Sequence, residues 1–157
     1  MMRGTEDICT RRMMPIDKNA YFWQVMDGRL PPPGAAKTLA IRFTQIDAEA
    51  GTIETTFEAG PAFGNPAGHV QGGILAAMLD DTMGPALAAM LAEGEIAPTL
   101  NLNVSFERPA RFGTIVGKGR VLKRGRDVCF LAGELYQDDQ RLASATATAL
   151  IRKAAAR

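Results

Sequence analysis

From Gly72 to Met90 the chain carries one long helical pattern with almost no polar side. Leu75, Met78, Leu79, Thr82, Met83, Ala86, Leu87 and Met90 recur at intervals of three or four residues. A helix apolar on most of its faces cannot lie on a surface and must be wrapped by other elements. Pro85 falls inside the pattern and is expected to bend it or weaken one turn, because its ring crowds the carbonyl four residues back.

The rest of the chain reads mainly as β. Leu39, Ile41 and Phe43 alternate with Ala40, Arg42 and Thr44, and Ile53, Thr55 and Phe57 alternate with Thr52, Glu54 and Thr56. With a turn at 47–51 between them, these stretches predict a hairpin. Beyond Gly94 come four more strand patterns, at 99–108, 114–122, 128–136 and 142–151, with turn signals between them. In the first, Leu100, Leu102, Val104 and Phe106 fall on one face. Four consecutive strands with short turns predict an antiparallel meander. Ahead of the hairpin, residues 20–27 read as a short helix that Asp17 or Asn19 can cap and Gly28 can end. Pro31, Pro32 and Pro33 are expected to hold the next stretch extended. The expectation is an α+β fold: a curved antiparallel sheet around one long helix, as a single domain over 37–153. Residues 1–36 supply a loosely ordered tail, a short helix and a Pro-rich connection.

Composition removes several classes of function. Two cysteines, Cys9 and Cys129, and one histidine, His69, are too few for a disulfide framework or a zinc centre. A net charge of +1 does not call for nucleic acid, and no apolar run reaches the roughly 20 residues of a membrane span. Arg3, Arg11 and Arg12 have no apolar core behind them, so no secretory signal is read and a reducing, cytoplasmic setting is expected.

The chemistry is concentrated at 65–84. Gly72 and Gly73 stand where an irregular, Gly- and Pro-rich loop becomes the long helix. A helix start has free N–H groups and a partial positive charge, and glycine lets a ligand approach them, which suits a carbonyl oxygen becoming an oxyanion. A Gly pair can equally serve only a tight turn. Asp80 lies mid-helix, where a carboxylate is costly unless it is paired or lines a cavity. Ala76, Ala77 and Gly84 near it are small. Asp81 points about 100° away around the helix and cannot share the same role. Eight residues of helix separate Gly72 from Asp80 by roughly 12 Å. One chain cannot bring both to one carbonyl. Two copies with antiparallel helices across a twofold axis can, so a shared task for these groups requires a homodimer or larger.

This segment resembles the PaaI-like acyl-CoA thioesterases of the hotdog superfamily, which includes the 4-hydroxybenzoyl-CoA thioesterases. The resemblance covers about residues 37–152. Asn65, Gly72, Gly73 and Asp80 match the family pattern in type and spacing, and Thr99 falls where a Ser or Thr completes the site. The usual His before the Gly pair is Gln71 here, which can hydrogen-bond but cannot act as an acid or base. The resemblance implies a hotdog fold and hydrolysis of acyl-CoA without a cofactor. It makes Asp80, Gly72, Asn65 and Thr99 catalytic, and it places Gly73, Gln71 and His69 at the substrate. Arg108, Arg111, Lys118, Arg120, Lys123, Arg124 and Arg126 are candidates for the CoA phosphates or for a solvated strand face. Phe63, Met78 and Met83 are candidates for an acyl pocket or plain core. Two other readings stand beside hydrolysis: a hotdog dehydratase or hydratase, which needs a His paired with an acid, and an acyl-CoA-binding module without chemistry.

Overall fold

The computed structural model describes residues 15–155. In chain order the elements are α1 (Tyr21–Met26), α2 (Gly34–Thr38), β1 (Arg42–Asp47), β2 (Thr52–Ala59), a 3-10 turn (Pro61–Phe63), α3 (Gly72–Ala88), β3 (Glu95–Ile96), β4 (Thr99–Phe106), β5 (Gly113–Arg124), β6 (Val128–Gln137), β7 (Gln140–Leu150) and β8 (Arg152–Lys153). Six strands form an antiparallel sheet in the order β1-β2-β5-β6-β7-β4, and β3 pairs with β8 apart from it. The sheet packs against α3, which touches every strand of it from β2 to β4. This is the α+β hotdog arrangement. The tail reading at 1–14, and with it Cys9, lies outside the described residues.

The sheet receives the helix on glycine. A Cβ at Gly119 would stand 2.7 Å from the Thr82 carbonyl oxygen, and one at Gly133 2.7 Å from the Met83 Cγ. At Gly117 it would meet the hydroxyls of Thr55 and Thr82. Thr82 donates to the Met78 carbonyl at 2.8 Å, so its hydroxyl oxygen is left to accept from Thr55 at 3.0 Å. Both threonines are fully buried, and this pair satisfies them. Met78, Leu79 and Met83 are likewise fully buried, as the all-round apolar pattern demands. Met78 and Met83 are therefore core.

Three expectations need correction. First, β4 does not continue into a meander with β5. It pairs with β7, while β5 pairs with β2, so only β5-β6-β7 is a meander. The helix carries the chain across the sheet, and β4 adds to the free edge of β7. Second, the chain after the proline run is helical rather than strand. Pro33 is itself extended, as expected (φ −55°, ψ 151°), but it stands as the N-cap of α2, and β1 consequently starts only at Arg42. Third, α1 has no side-chain cap: its N-cap is Ala20. Asp17 instead accepts from the Asn19 N–H at 2.9 Å and, with its other oxygen, from the Glu93 N–H at 2.8 Å. Gly28 does take the left-handed conformation expected, with φ +74°. A Trp23 indole bond to the Ala89 carbonyl at 3.1 Å and an edge-on Phe22–Phe43 contact dock α1 between the end of α3 and β1.

On β4 the apolar face is broken. Leu102 and Val104 are half-buried, but Leu100 is 60% and Phe106 55% exposed. A register shift between Thr99 and Asn101 turns Leu100 out of line, and β4 is the last strand of the sheet.

Candidate functional site

The loop before α3 is held by one side chain. Asn65 Oδ1 accepts from the N–H groups of Ala67 (2.9 Å) and His69 (3.1 Å), and the Asn65 N–H donates to the His69 carbonyl at 2.8 Å. This is the turn chemistry for which Asn is suited. Gln71 then caps the helix, its side-chain oxygen accepting from the Ile74 N–H at 3.1 Å. The capping side chain folds over Gly73, whose missing Cβ would stand 2.8 Å from Gln71 Oε1. Gly72 lies against the Phe106 ring, with 3.3 Å from its Cβ position to the nearest ring carbon. The N–H groups of Gly72 and Gly73 begin the helix and have no acceptor within it. A cavity of about 420 Å³ opens at this point, lined by Asn65, His69, Gly72, Phe106 and Arg108 among others. Gln71 is thus a capping residue, and Phe106 is a neighbour of the helix start that sequence reasoning missed. A bulky apolar residue at the end of an edge strand was the available signal.

Asp80 and Thr99 form a second group. The Thr99 hydroxyl donates to Asp80 Oδ1 at 2.9 Å, from the residue where β4 shifts register. Neither lines the cavity at the helix start. The structure therefore gathers the proposed residues into two separate groups: Asn65, His69, Gly72 and Gly73 with the Gln71 cap, and, farther along α3, Asp80 with Thr99. Asp81 faces elsewhere. Its Oδ2 is shielded from solvent and has no hydrogen-bond partner among the described residues. Burial, and then the charge of adjacent Asp80, hold its carboxyl above the ordinary range.

The basic residues divide. Lys118 pairs with Glu54, Arg120 with Glu134, Arg124 with Glu95 and Arg126 with Asp127, the pattern of a charged strand face. Arg108 and Arg111 are also paired, with Glu107 and Asp138, but they line a hollow of about 340 Å³ that includes His69, beside the cavity at the helix start. Among the described residues no helix is long and apolar enough to cross a membrane.

Comparison with known proteins agrees with this geometry. The model of the thioesterase superfamily matches residues 67–144, which contain the whole of α3. A phenylacetic acid degradation-related protein of Ralstonia eutropha JMP134 is 46% identical, with 83% of this chain and 98% of that one covered and a TM-score of 0.81. A thioesterase family protein of Silicibacter pomeroyi is 21% identical (85% and 99% covered, TM-score 0.75). The PaaI protein of E. coli is also 21% identical (82% and 91% covered, TM-score 0.72). The two at 21% share the fold, whereas identity of 46% over nearly all of the Ralstonia protein carries the family. On that similarity, and on an α3 that opens with a glycine pair and carries an acid at mid-length, the chain belongs to the hotdog-fold thioesterase superfamily, among its PaaI-like members.

Proposed function

We propose that the protein hydrolyses acyl-CoA thioesters in sites shared between two copies of the chain. One observation carries the reading. A carboxylate anchored by Thr99 and a set of open helix-start amides lie on the same helix, eight residues or roughly 12 Å apart. They meet at one carbonyl only if a second copy runs antiparallel. The open edge of β4, with Thr99 at one end and Phe106 at the other, supports self-association.

In this scheme the thioester oxygen accepts from the Gly72 or Gly73 N–H of one copy. Asp80 of the other copy, oriented by Thr99, takes a proton from water as the water oxygen attacks the carbonyl carbon. The carbonyl electron pair moves onto oxygen, where the amides and the helix dipole stabilise it. Collapse breaks the C–S bond, and the departing CoA sulfur receives the proton from Asp80. Direct attack by the Asp80 carboxylate on the same carbon, with water then opening the anhydride, uses the same groups. Asn65 shapes the loop that presents the amides, and His69 stands at the cavity mouth. In this scheme Arg108 and Arg111, which line the neighbouring hollow, meet phosphate groups of CoA, Arg111 exchanging Asp138 for them.

The test is release of free thiol from aromatic, short-chain and long-chain acyl-CoAs. Phenylacetyl-CoA belongs in the panel because of the Ralstonia relative's description. Turnover by the wild type and its loss in Asp80→Ala, with an unchanged melting curve, is the expected outcome. Near-normal activity in that variant removes Asp80 from the mechanism. Binding without thiol release would identify a non-catalytic module.

A further inference from the structure

One turn beyond Asp80, α3 forms a wall of a second cavity that the scheme above does not use. Its volume is about 590 Å³, within the roughly 300–1,000 Å³ range of small-molecule pockets. Phe22 and Val25 of α1, Ile41 ahead of β1, Phe43 of β1, and Pro85 and Ala88 of α3 supply apolar walls. Gly84 leaves the helix side open, since no atom lies within 4 Å of the place its Cβ would occupy. Lys37, Arg42 and Tyr21 also line the cavity, from α2, β1 and α1.

Asp81 is the one acidic residue in this lining. Its solvent-shielded Oδ2 lacks a hydrogen-bond partner among the described residues, and such a group in a folded protein calls for an explanation. The backbone points the same way: Pro85 has no N–H to offer the Asp81 carbonyl four residues back. A largely apolar pocket with a few polar groups, here a shielded carboxyl oxygen with Lys37, Arg42 and Tyr21 elsewhere on the wall, is the arrangement that orients a ligand. Burial, and then the charge of adjacent Asp80, raise its carboxyl above the ordinary range, and in either protonation state its oxygens can accept from a hydroxyl.

Resting on the thioesterase reading, we propose that this cavity takes the acyl group and that Asp81 determines its specificity, accepting a hydrogen bond from a hydroxyl carried within a few carbons of the thioester. The position follows from the helix. Asp80 acts at the carbonyl carbon, and the next Cα is only about 3.8 Å away, turned about 100° around the axis. Asp81 therefore reaches a substituent near the carbonyl, and the apolar walls take the remaining chain.

The experiment compares octanoyl-CoA with 3-hydroxyoctanoyl-CoA for the wild type, Asp81→Asn and Asp81→Leu. Turnover is read as kcat/KM, and binding of the corresponding thioether analogues is read by calorimetry. The wild type should favour the hydroxylated compound roughly three- to tenfold, the worth of one hydrogen bond. Asp81→Asn, which can still donate and accept, should keep most of that preference. Asp81→Leu should lose or reverse it. An unchanged preference in Asp81→Leu overturns the proposal. So does an equal loss on both compounds with altered sedimentation, which would give the Asp81 oxygen a partner in a second copy. If the wild type releases thiol from neither ester, the thioesterase reading fails, and the thioether binding ratio still reports on the cavity.

Discussion

A mixture of two inactive variants tests the shared site directly. Gly72→Pro deletes one helix-start donor with little disturbance. Proline is favoured at the first helical position, and Gln71 already has the extended conformation (φ −66°, ψ 137°) that a residue before proline requires. The added ring presses on Phe106, which is 55% exposed and has room to move. Loss of one oxyanion donor should lower kcat by roughly 10²–10³. Asp80→Asn should cost about 10²–10⁴ through loss of the base. Equal amounts of the two, refolded together, pair at random and give half hybrid dimers. Each hybrid has one site with both lesions and one with neither. A quarter of all sites are then intact, so thiol release should recover to about 25% of wild type, whether or not dimers pair further. Native mass spectrometry reports the hybrid fraction independently. Hybrids at half abundance with activity no greater than the sum of the parents would refute the reasoning, because the amides and Asp80 would not then serve one site.

Three other outcomes are expected. Thr99→Val removes the 2.9 Å bond to Asp80 and should lower kcat about tenfold to a hundredfold, the range for hydrogen bonds to charged groups, with melting temperature nearly constant. Thr99→Ser should keep most activity, and equal loss in both variants would deny the hydroxyl its role. Burial holds the Asp81 carboxyl above its ordinary range in the folded protein, so its contribution to stability is complete below the unfolded pKa and is lost as pH rises through the folded one. Asp81→Asn should therefore melt higher than wild type near pH 7, with the advantage shrinking toward pH 3; parallel curves would contradict this. Gly119→Ala pushes a methyl to 2.7 Å from the Thr82 carbonyl and should cost about 1–3 kcal/mol in denaturant unfolding, and no loss would mean that α3 does not rest there as described.

What the sequence made legible follows from periodicity. The all-round apolar run gave α3 to within two residues at its far end, and alternation located the hairpin and four later strands. Ile53, Thr55 and Phe57 are buried together, as their spacing required. Partner choice was not legible, because alternation identifies a strand's faces but not its neighbour. The pairing of β4 with β7 depends on where α3 delivers the chain. Local proline rules misjudged α2, since Pro33 precedes a helix as readily as it blocks one. At the site, residue types and spacing pointed to Gly72 and Asp80, and the resemblance to the family pattern added Asn65 and Thr99. Their division into two groups required coordinates in part: the 12 Å between helix positions was already implied, but Thr99 beside Asp80 was not. The cavity around Asp81 was invisible because α1, β1 and α3 build it from distant parts of the chain.

The free margin of β4 has a consequence for handling the protein. A lone copy displays a row of unpaired amides and carbonyls beside Leu100 and Phe106, which invites any extended peptide to add on. On the shared-site reading, newly made chains thus face a race between finding a proper mate and sticking to strangers. Dilute, warm or overproduced preparations should clump through this strip, and a lysine in place of Leu100 would be expected to keep solitary copies in solution.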